Sequence, residues 1–353
     1  MSKWEENVRK VTPYTPGEQP NRPGMIKLNT NENPYPPAPG VLAAMKKLEG
    51  HVDSLRLYPD PTSDALVSAL ADFYHVGKDQ VFVGVGSDDV LSMCFLTFFN
   101  SEKPVFFPDI TYSFYKVWAD LYRIPYECKK VDENFHIIKE DYYPENGGVI
   151  FPNPNAPTSI YEDLEFVEDI IRHNQDVIVI VDEAYIDFAG ESALSLLDKY
   201  DNLIITQTFS KARSMAGMRI GYAIASPLLI KYLNDAKYSF NSYTMNKTSL
   251  VYGAEAVKDK EYFAETTRKI VETRDWAEEE FKKLGFVFPK PSANFIFVSH
   301  PEYDAKELFE AMKAKGIYVR FWGSERIEQY LRVTIGTREE MEALFAFLRE
   351  YMM

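Results

Sequence analysis

Short apolar runs alternate along this chain with stretches whose apolar residues recur every three or four positions. The runs sit in QVFVGVG, PVFFPD, YECKKV, GGVIFPNPNAPTS, DVIVIVDEAYIDF, NLIITQTFSKA and GYAIAS. Each is too short for a buried helix and predicts a strand. The periodic stretches predict helices over Pro39–Leu48, after an N-cap at Thr62 or Ser63, from about Ser87, within TYSFYKVWADLY and over Leu164–His173. Strands and helices in alternation imply an α/β fold built on a doubly wound, mostly parallel sheet.

The flanks read differently. Val11 to Gly40 is crowded with proline, asparagine and glycine, which argues against a packed helix or a central strand. Its apolar residues Tyr14, Ile26, Leu28 and Tyr35, with the amide-rich LNTNENPYPP, instead predict a segment folded over the body. Near Tyr238 to Thr248 the chain turns polar. A charged helix over Lys260–Leu284 then leads to FVFPKPSANFIFVSH, a helix over Ala305–Lys315, GIYVRFW, YLRVTIGTREE and a last helix. The expected organisation is an arm at 1–38 that also joins the small domain, a large domain at 39–248 and a smaller α+β domain at 249–353.

Composition narrows the function classes. With 39 basic and 53 acidic residues among 353, the net charge is −14, which disfavours nucleic acid and anionic membrane surfaces as partners. An anionic substrate would need a local cluster of positive groups. Two cysteines give no disulfide framework and fit a reducing compartment. The polar MSKWEENVRK is unlike a signal peptide, and the strongest apolar stretch, Val90–Phe99, is too short to span a membrane, so a cytoplasmic location is expected. The five histidines are scattered with no HExxH spacing, and there is no GxSxG elbow or Walker-type loop. No metal site is expected.

In a sheet of this kind chemistry gathers at the carboxyl ends of the strands. Those ends carry Asp109 and Tyr112, Asn153 and Asn155, Asp182 and Tyr185, and Lys211. Lys211 follows a buried strand, where an amine can form an imine with an aldehyde cofactor. Thr208, Ser210 and Arg219 around it are donors suited to phosphate. The GVGSDD junction aims a helix N-terminus at one point, a seat for phosphate. It also partly matches a dinucleotide fingerprint, but Asp89 stands at the third glycine position. An aldehyde bearing a phosphate suggests pyridoxal 5'-phosphate. In such a site a buried Asp182 would meet the ring-nitrogen cation, Tyr185 the phenolic oxygen and Tyr112 the ring face. A structural cap for Asp182 and core positions for the tyrosines fit the sequence as well. Arg320 and Arg332 lie in apolar runs of the small domain, facing either solvent or a substrate anion.

The order GSDD, TYSFY, PNPNAPTS, DEAY, TFSKA and MAGMRIGY resembles the fold-type I pyridoxal-phosphate aminotransferases over nearly the whole chain. TPYTPGEQ, LNTNENPYPP, LYPDP and LRVTIGTREE are similar to the histidinol-phosphate aminotransferase family. The resemblance implies that Lys211 carries the cofactor, Asp182 and Tyr185 meet its ring, and Tyr112 stacks on it. It implies that Ser87, Asp88, Ser210 and Arg219 hold the cofactor phosphate, joined by Tyr58 from the neighbouring subunit of a homodimer. It puts Arg332 on the substrate's phosphate, with Tyr14, Glu32 and Arg320 nearby. The implied reaction converts histidinol phosphate and 2-oxoglutarate to imidazole acetol phosphate and glutamate. An aromatic amino-acid aminotransferase is the alternative, and a threonine-phosphate decarboxylase the third. A pyridoxal-phosphate binder without catalysis and a nicotinamide oxidoreductase stand outside that class. Two positions depart from the family's NNPTG. Ala156 stands at the second asparagine, leaving Asn155 as the expected cofactor contact, and Ser159 replaces the glycine.

Overall fold

The computed structural model describes residues 3–20 and 22–353. In chain order its first half runs β1 (Ile26–Lys27), α1 (Pro39–Glu49), α2 (Asp64–Tyr74), β2 (Val81–Gly84), α3 (Ser87–Phe98), β3 (Val105–Pro108), α4 (Phe114–Tyr122), β4 (Tyr126–Lys129), β5 (Gly148–Pro152) and α5 (Leu164–Arg172). The second runs β6 (Val179–Asp182), β7 (Leu203–Thr208), β8 (Gly221–Ala225), α6 (Pro227–Phe240), α7 (Lys247–Lys258), α8 (Lys260–Lys283), β9 (Phe295–Val298), α9 (Ala305–Ala314), β10 (Ile317–Tyr318), β11 (Arg320–Phe321), β12 (Leu331–Thr334) and α10 (Arg338–Tyr351).

Seven strands form the central sheet in the order β2-β8-β7-β6-β5-β3-β4. Only β8 runs against its neighbours; the other pairings are parallel. Alternation along each strand splits the apolar side chains between two cores. Val149, Val181 and Ile205 face one, and Ile150, Ile180 and Ile204 the other. A sheet covered on both faces explains why its strands read as continuous apolar runs.

A third core builds the smaller body around Phe281, Phe295, Ile296 and Phe345. There β9, β11 and β12 form an antiparallel sheet, and β1 of the arm pairs with β10. Helix α7 packs on α1 and α2, and its Leu250, Tyr252 and Val257 are buried in a core of the large sheet. The packing therefore carries the larger body beyond residue 248 to Asp259, which caps α8 through the Tyr262 amide.

Two local expectations change. Ser63 occupies the N-cap position of α2, but with φ +56° its side chain caps nothing; Asp60 accepts from the Thr62 and Asp64 amides instead. Ser159, at φ +66° and buried, donates from Oγ to the Phe295 carbonyl and accepts from the Ser292 and Ala293 amides. That hydroxyl joins the loop after β5 to the edge of β9, where glycine could only allow the turn. Nearby, Arg274 of α8 donates to the carbonyls of Phe188 and Ala293.

Candidate active site

A cavity of about 370 Å³ opens at the carboxyl ends of β5, β6 and β7. Asp182 is the last residue of β6, so register alone fixes its carboxylate at the cavity floor. Its Oδ2 accepts from the Tyr115 hydroxyl at 2.8 Å, and Thr206 and the Ala184 amide approach Oδ1 at 3.3 Å. Burial pushes its pKa up to about 6 although those donors pull it down. A carboxylate so placed suits a cationic group of a bound cofactor.

Lys211 stands across from it, past the end of β7. Its Nζ donates to the Thr30 carbonyl at 3.1 Å and lies 5.6 Å from the centre of the Tyr185 ring. Asn33 holds the backbone here, donating to the carbonyls of Lys211 and Ala212. Glu32 closes the rim, paired with Lys27 and Thr30. Burial alone would raise its pKa, but those hydrogen bonds and the charges of Lys27 and Lys211 hold it below the usual value.

The other end of the cavity is a cup of donors. Helix α3 begins at Ser87 after Gly86, whose φ of +86° is natural only to glycine. A Cβ on Gly86 would strike the Arg219 guanidinium, and one on Gly221 would overlap the Ser87 amide. Glycine at both places lets β8 and Arg219 close on the helix N-terminus. Thr208 Oγ1 lies 3.1 Å from Ser210 Oγ, and Arg219 reaches Asp88 at 3.3 Å. Tyr112 donates to Asp88 at 2.6 Å, and burial followed by that carboxylate raises its pKa. Backbone amides, two hydroxyls and an arginine suit a phosphate. A buried carboxylate, an amine and this cup together fit pyridoxal phosphate.

A second cavity of about 480 Å³ shares Thr30, Tyr112 and Ala156 with the first. Arg320 and Arg332 are directly opposed across β11 and β12, an arrangement that is costly for like charges without an anion. Arg332 Nη2 donates to the Asn29 carbonyl, while its buried Nε has no partner. Burial depresses the Arg332 pKa, and Arg320 adds to the effect. Tyr14 and Trp322 supply aromatic walls.

Ser87, Asp88, Tyr112, Asp182 and Tyr185 thus line the first cavity, as do Thr208, Ser210, Lys211, Arg219 and Glu32. Tyr14, Arg320 and Arg332 line the second. Asn155 lies elsewhere, and Tyr58, expected at the neighbouring subunit's site, does not line its own. Asn155 spends its amide on the Ile110 carbonyl and Thr158 and accepts from Thr111, so the wall is the Ala156 methyl. Tyr58 is 80% exposed and stacks on Tyr243, lining neither cavity. Asp109 is paired with Arg326 at 2.8 Å, and Asp89 accepts from the Val85 amide. Sequence reasoning passed over Asn31, Thr30 and Tyr115. Tyr115, one helical turn from Tyr112, was visible as a spacing; Asn31 was only one amide in a polar run.

Residues 23–348 match the family described as aminotransferase class I and II. A histidinol-phosphate aminotransferase of Clostridium botulinum (strain Okra) is 49% identical over 343 residues, 97% of this chain and 96% of that protein. Among solved structures, the histidinol-phosphate aminotransferase of Clostridium acetobutylicum superposes with a TM-score of 0.85 at 21% identity, covering 93% of this chain and 99% of the other. That of Sinorhizobium meliloti, in complex with pyridoxal 5'-phosphate, gives 0.82 at 24% identity, covering 93% and 91%.

Proposed function

The chain belongs to the class I and II aminotransferases, and from that premise we infer that it transfers the amino group of histidinol phosphate to 2-oxoglutarate, giving imidazole acetol phosphate and glutamate, with pyridoxal 5'-phosphate as cofactor. The name and near-complete coverage of the relative at 49% identity support this substrate. The observation that carries it is the opposed pair Arg320 and Arg332, with a buried unpartnered Nε, in a cavity continuous with that of Lys211.

When bound, the cofactor supplies a carbonyl that takes up the substrate amine and a ring that delocalises the electron pair left at Cα. The Asp182 carboxylate would hold the ring-nitrogen proton, and Tyr185 would donate to the ring oxygen. Tyr112 would cover one ring face. The amides of Ser87 and Asp88, the hydroxyls of Thr208 and Ser210, and Arg219 would hold the cofactor phosphate. Lys211 Nζ would take the proton from the substrate Cα and return one to the carbon that had been the cofactor's aldehyde, as base and then acid. Arg332, aided by Arg320, would bind the phosphate of one substrate and the distal carboxylate of the other, with Tyr14 and Glu32 nearby. The site works in a homodimer in which Tyr58 reaches the partner's cofactor phosphate. The unpaired Cys94 and Cys128 support a cytoplasmic setting. Among the described residues no helix is long and apolar enough to cross a membrane, and no acidic, His or Cys cluster could hold a metal.

An absorption titration tests the reading. Histidinol phosphate should bleach the visible band of the cofactor-loaded protein at far lower concentration than phenylalanine, and Lys211→Ala should abolish turnover. Phenylalanine as the better donor would make the protein an aromatic aminotransferase. No visible band after adding pyridoxal phosphate would reject the cofactor.

A further inference from the structure

The apolar wall at Ala156 leaves Tyr185 as the side chain donor available to the cofactor's ring oxygen on that side of the cavity. A tyrosine hydroxyl has one proton, so its direction depends on what else the oxygen touches. Here the oxygen touches Asn31, whose Nδ2 lies 2.9 Å from Tyr185 Oη.

The orientation of that amide is fixed by its other neighbours. The Asn31 backbone N–H donates to Thr334 Oγ1 at 3.0 Å, which obliges the threonine to send its own proton elsewhere. That proton goes to the Asn31 side chain, also at 3.0 Å, so the atom receiving it is the carbonyl Oδ1. The amide's other end is therefore the NH₂, and it faces Tyr185. Asn31 is 1% exposed and Thr334 2%, which excludes bulk water as a competing partner. The asparagine backbone is held at φ +56°, and its carbonyl accepts from Asn294. Nothing in this arrangement leaves the amide free to flip.

We propose that Asn31 is a positioning residue for Tyr185: by donating to Tyr185 Oη it occupies the acceptor side of the hydroxyl and commits the tyrosine's proton to the cavity. Thr334 sets the polarity, Asn31 transmits it, and Tyr185 delivers it to the ring oxygen. The relay begins two residues along β12 from Arg332, which itself donates to the Asn29 carbonyl. The residues that fix the anion site and those that polarise the tyrosine thus share one strand and one segment of the arm.

The inference rests on pyridoxal phosphate being the cofactor, and the test separates the two. The readout is the pH midpoint at which the absorption of the Lys211-bound cofactor changes form. A donor to the ring oxygen favours the more negative form and lowers that midpoint; losing the donor raises it. Asn31→Gly keeps the left-handed backbone and removes the amide. It should raise the midpoint by about half a unit to one unit, in the direction of Tyr185→Phe. Asn31→Asp, the isosteric change, should raise it further. A carboxylate can only accept, so it draws the tyrosine proton away from the cavity. In a Tyr185→Phe background Asn31→Gly should add no shift, and Asn31→Asp should keep only its charge effect. A midpoint unchanged in Asn31→Gly, or shifted equally with and without the Tyr185 hydroxyl, would overturn the relay. Absence of a visible band in the unmodified protein would instead overturn the cofactor.

Discussion

Asp182 shows what one buried side chain implies before any ligand arrives. Its pKa in the folded protein, about 6, stands above the 3.8 of an exposed aspartate because burial penalises the charge. The stability this proton linkage contributes is complete below about pH 4 and is lost as pH rises through 6, on the order of 3 kcal/mol by pH 8. Glu183, raised to about 7 by burial, acts in the same direction. Cofactor-free protein should therefore melt progressively lower from pH 5 to pH 8. The difference between it and Asp182→Asn isolates the first carboxylate. Thermal unfolding of both at the two pH values checks this, and a pH-independent difference would contradict it. Asp182, Lys211 and Arg219 could be picked from sequence because strand ends and small-residue turns announce themselves. Asn155 misled because its neighbours decide where an amide points, and Asn31 stayed hidden because its partners Tyr185 and Thr334 are 154 and 303 residues away.

At the scale of elements, the junction of β2, α3 and β8 is where packing tolerance is smallest. A Cβ at Gly221 would overlap the Ser87 amide and the Gly86 carbonyl. Gly221→Ala must therefore push the antiparallel strand away from the helix N-terminus, opening the cup while leaving both cores in place. We expect at least a tenfold weaker affinity for pyridoxal phosphate, about 1.4 kcal/mol or more, measured by fluorescence titration. Affinity within a factor of two of the parent would show that the close approach is dispensable. The periodicity of the strands and of α8 carried the architecture into view, since burial on two faces and an amphipathic stripe leave direct marks on sequence. The attachment of α7 to the larger body left no such mark. Its apolar positions would suit either core, and only the packing on α1 and α2 distinguishes them.

For the whole molecule, Tyr58 carries the clearest expectation. It is exposed and stacks on Tyr243, and its chain neighbour Leu57 is exposed as well, so large apolar side chains face outward here. If Tyr58 completes a partner's site, two inactive proteins should rescue each other. Lys211→Ala lacks the amine, and Tyr58→Ala lacks the cross-subunit contact. A mixed dimer has one site with both groups intact. Denaturing the two variants together and refolding them should restore about a quarter of the parent activity by statistical assortment. Activity no greater than the sum of the separate variants would argue that each subunit is self-sufficient.

The hydroxyl of Ser159 has a consequence for timing. Its three hydrogen bonds, with Arg274 spanning the same seam, fasten the two bodies together three residues from Ala156, which lines both cavities. Opening the cleft by swinging one body from the other would break this whole set of buried polar contacts at once. The arm is held by fewer buried contacts: the Tyr14 stack on Phe114, Asn29 donating to the Glu18 carbonyl at 2.7 Å, and an exposed Glu18–Lys313 pair of the kind that contributes little. Displacing residues 14–18 alone should therefore cost less than parting the two bodies. The residence time of a bound phosphate ester should then follow the grip of that strap more than any parting of the frame behind it.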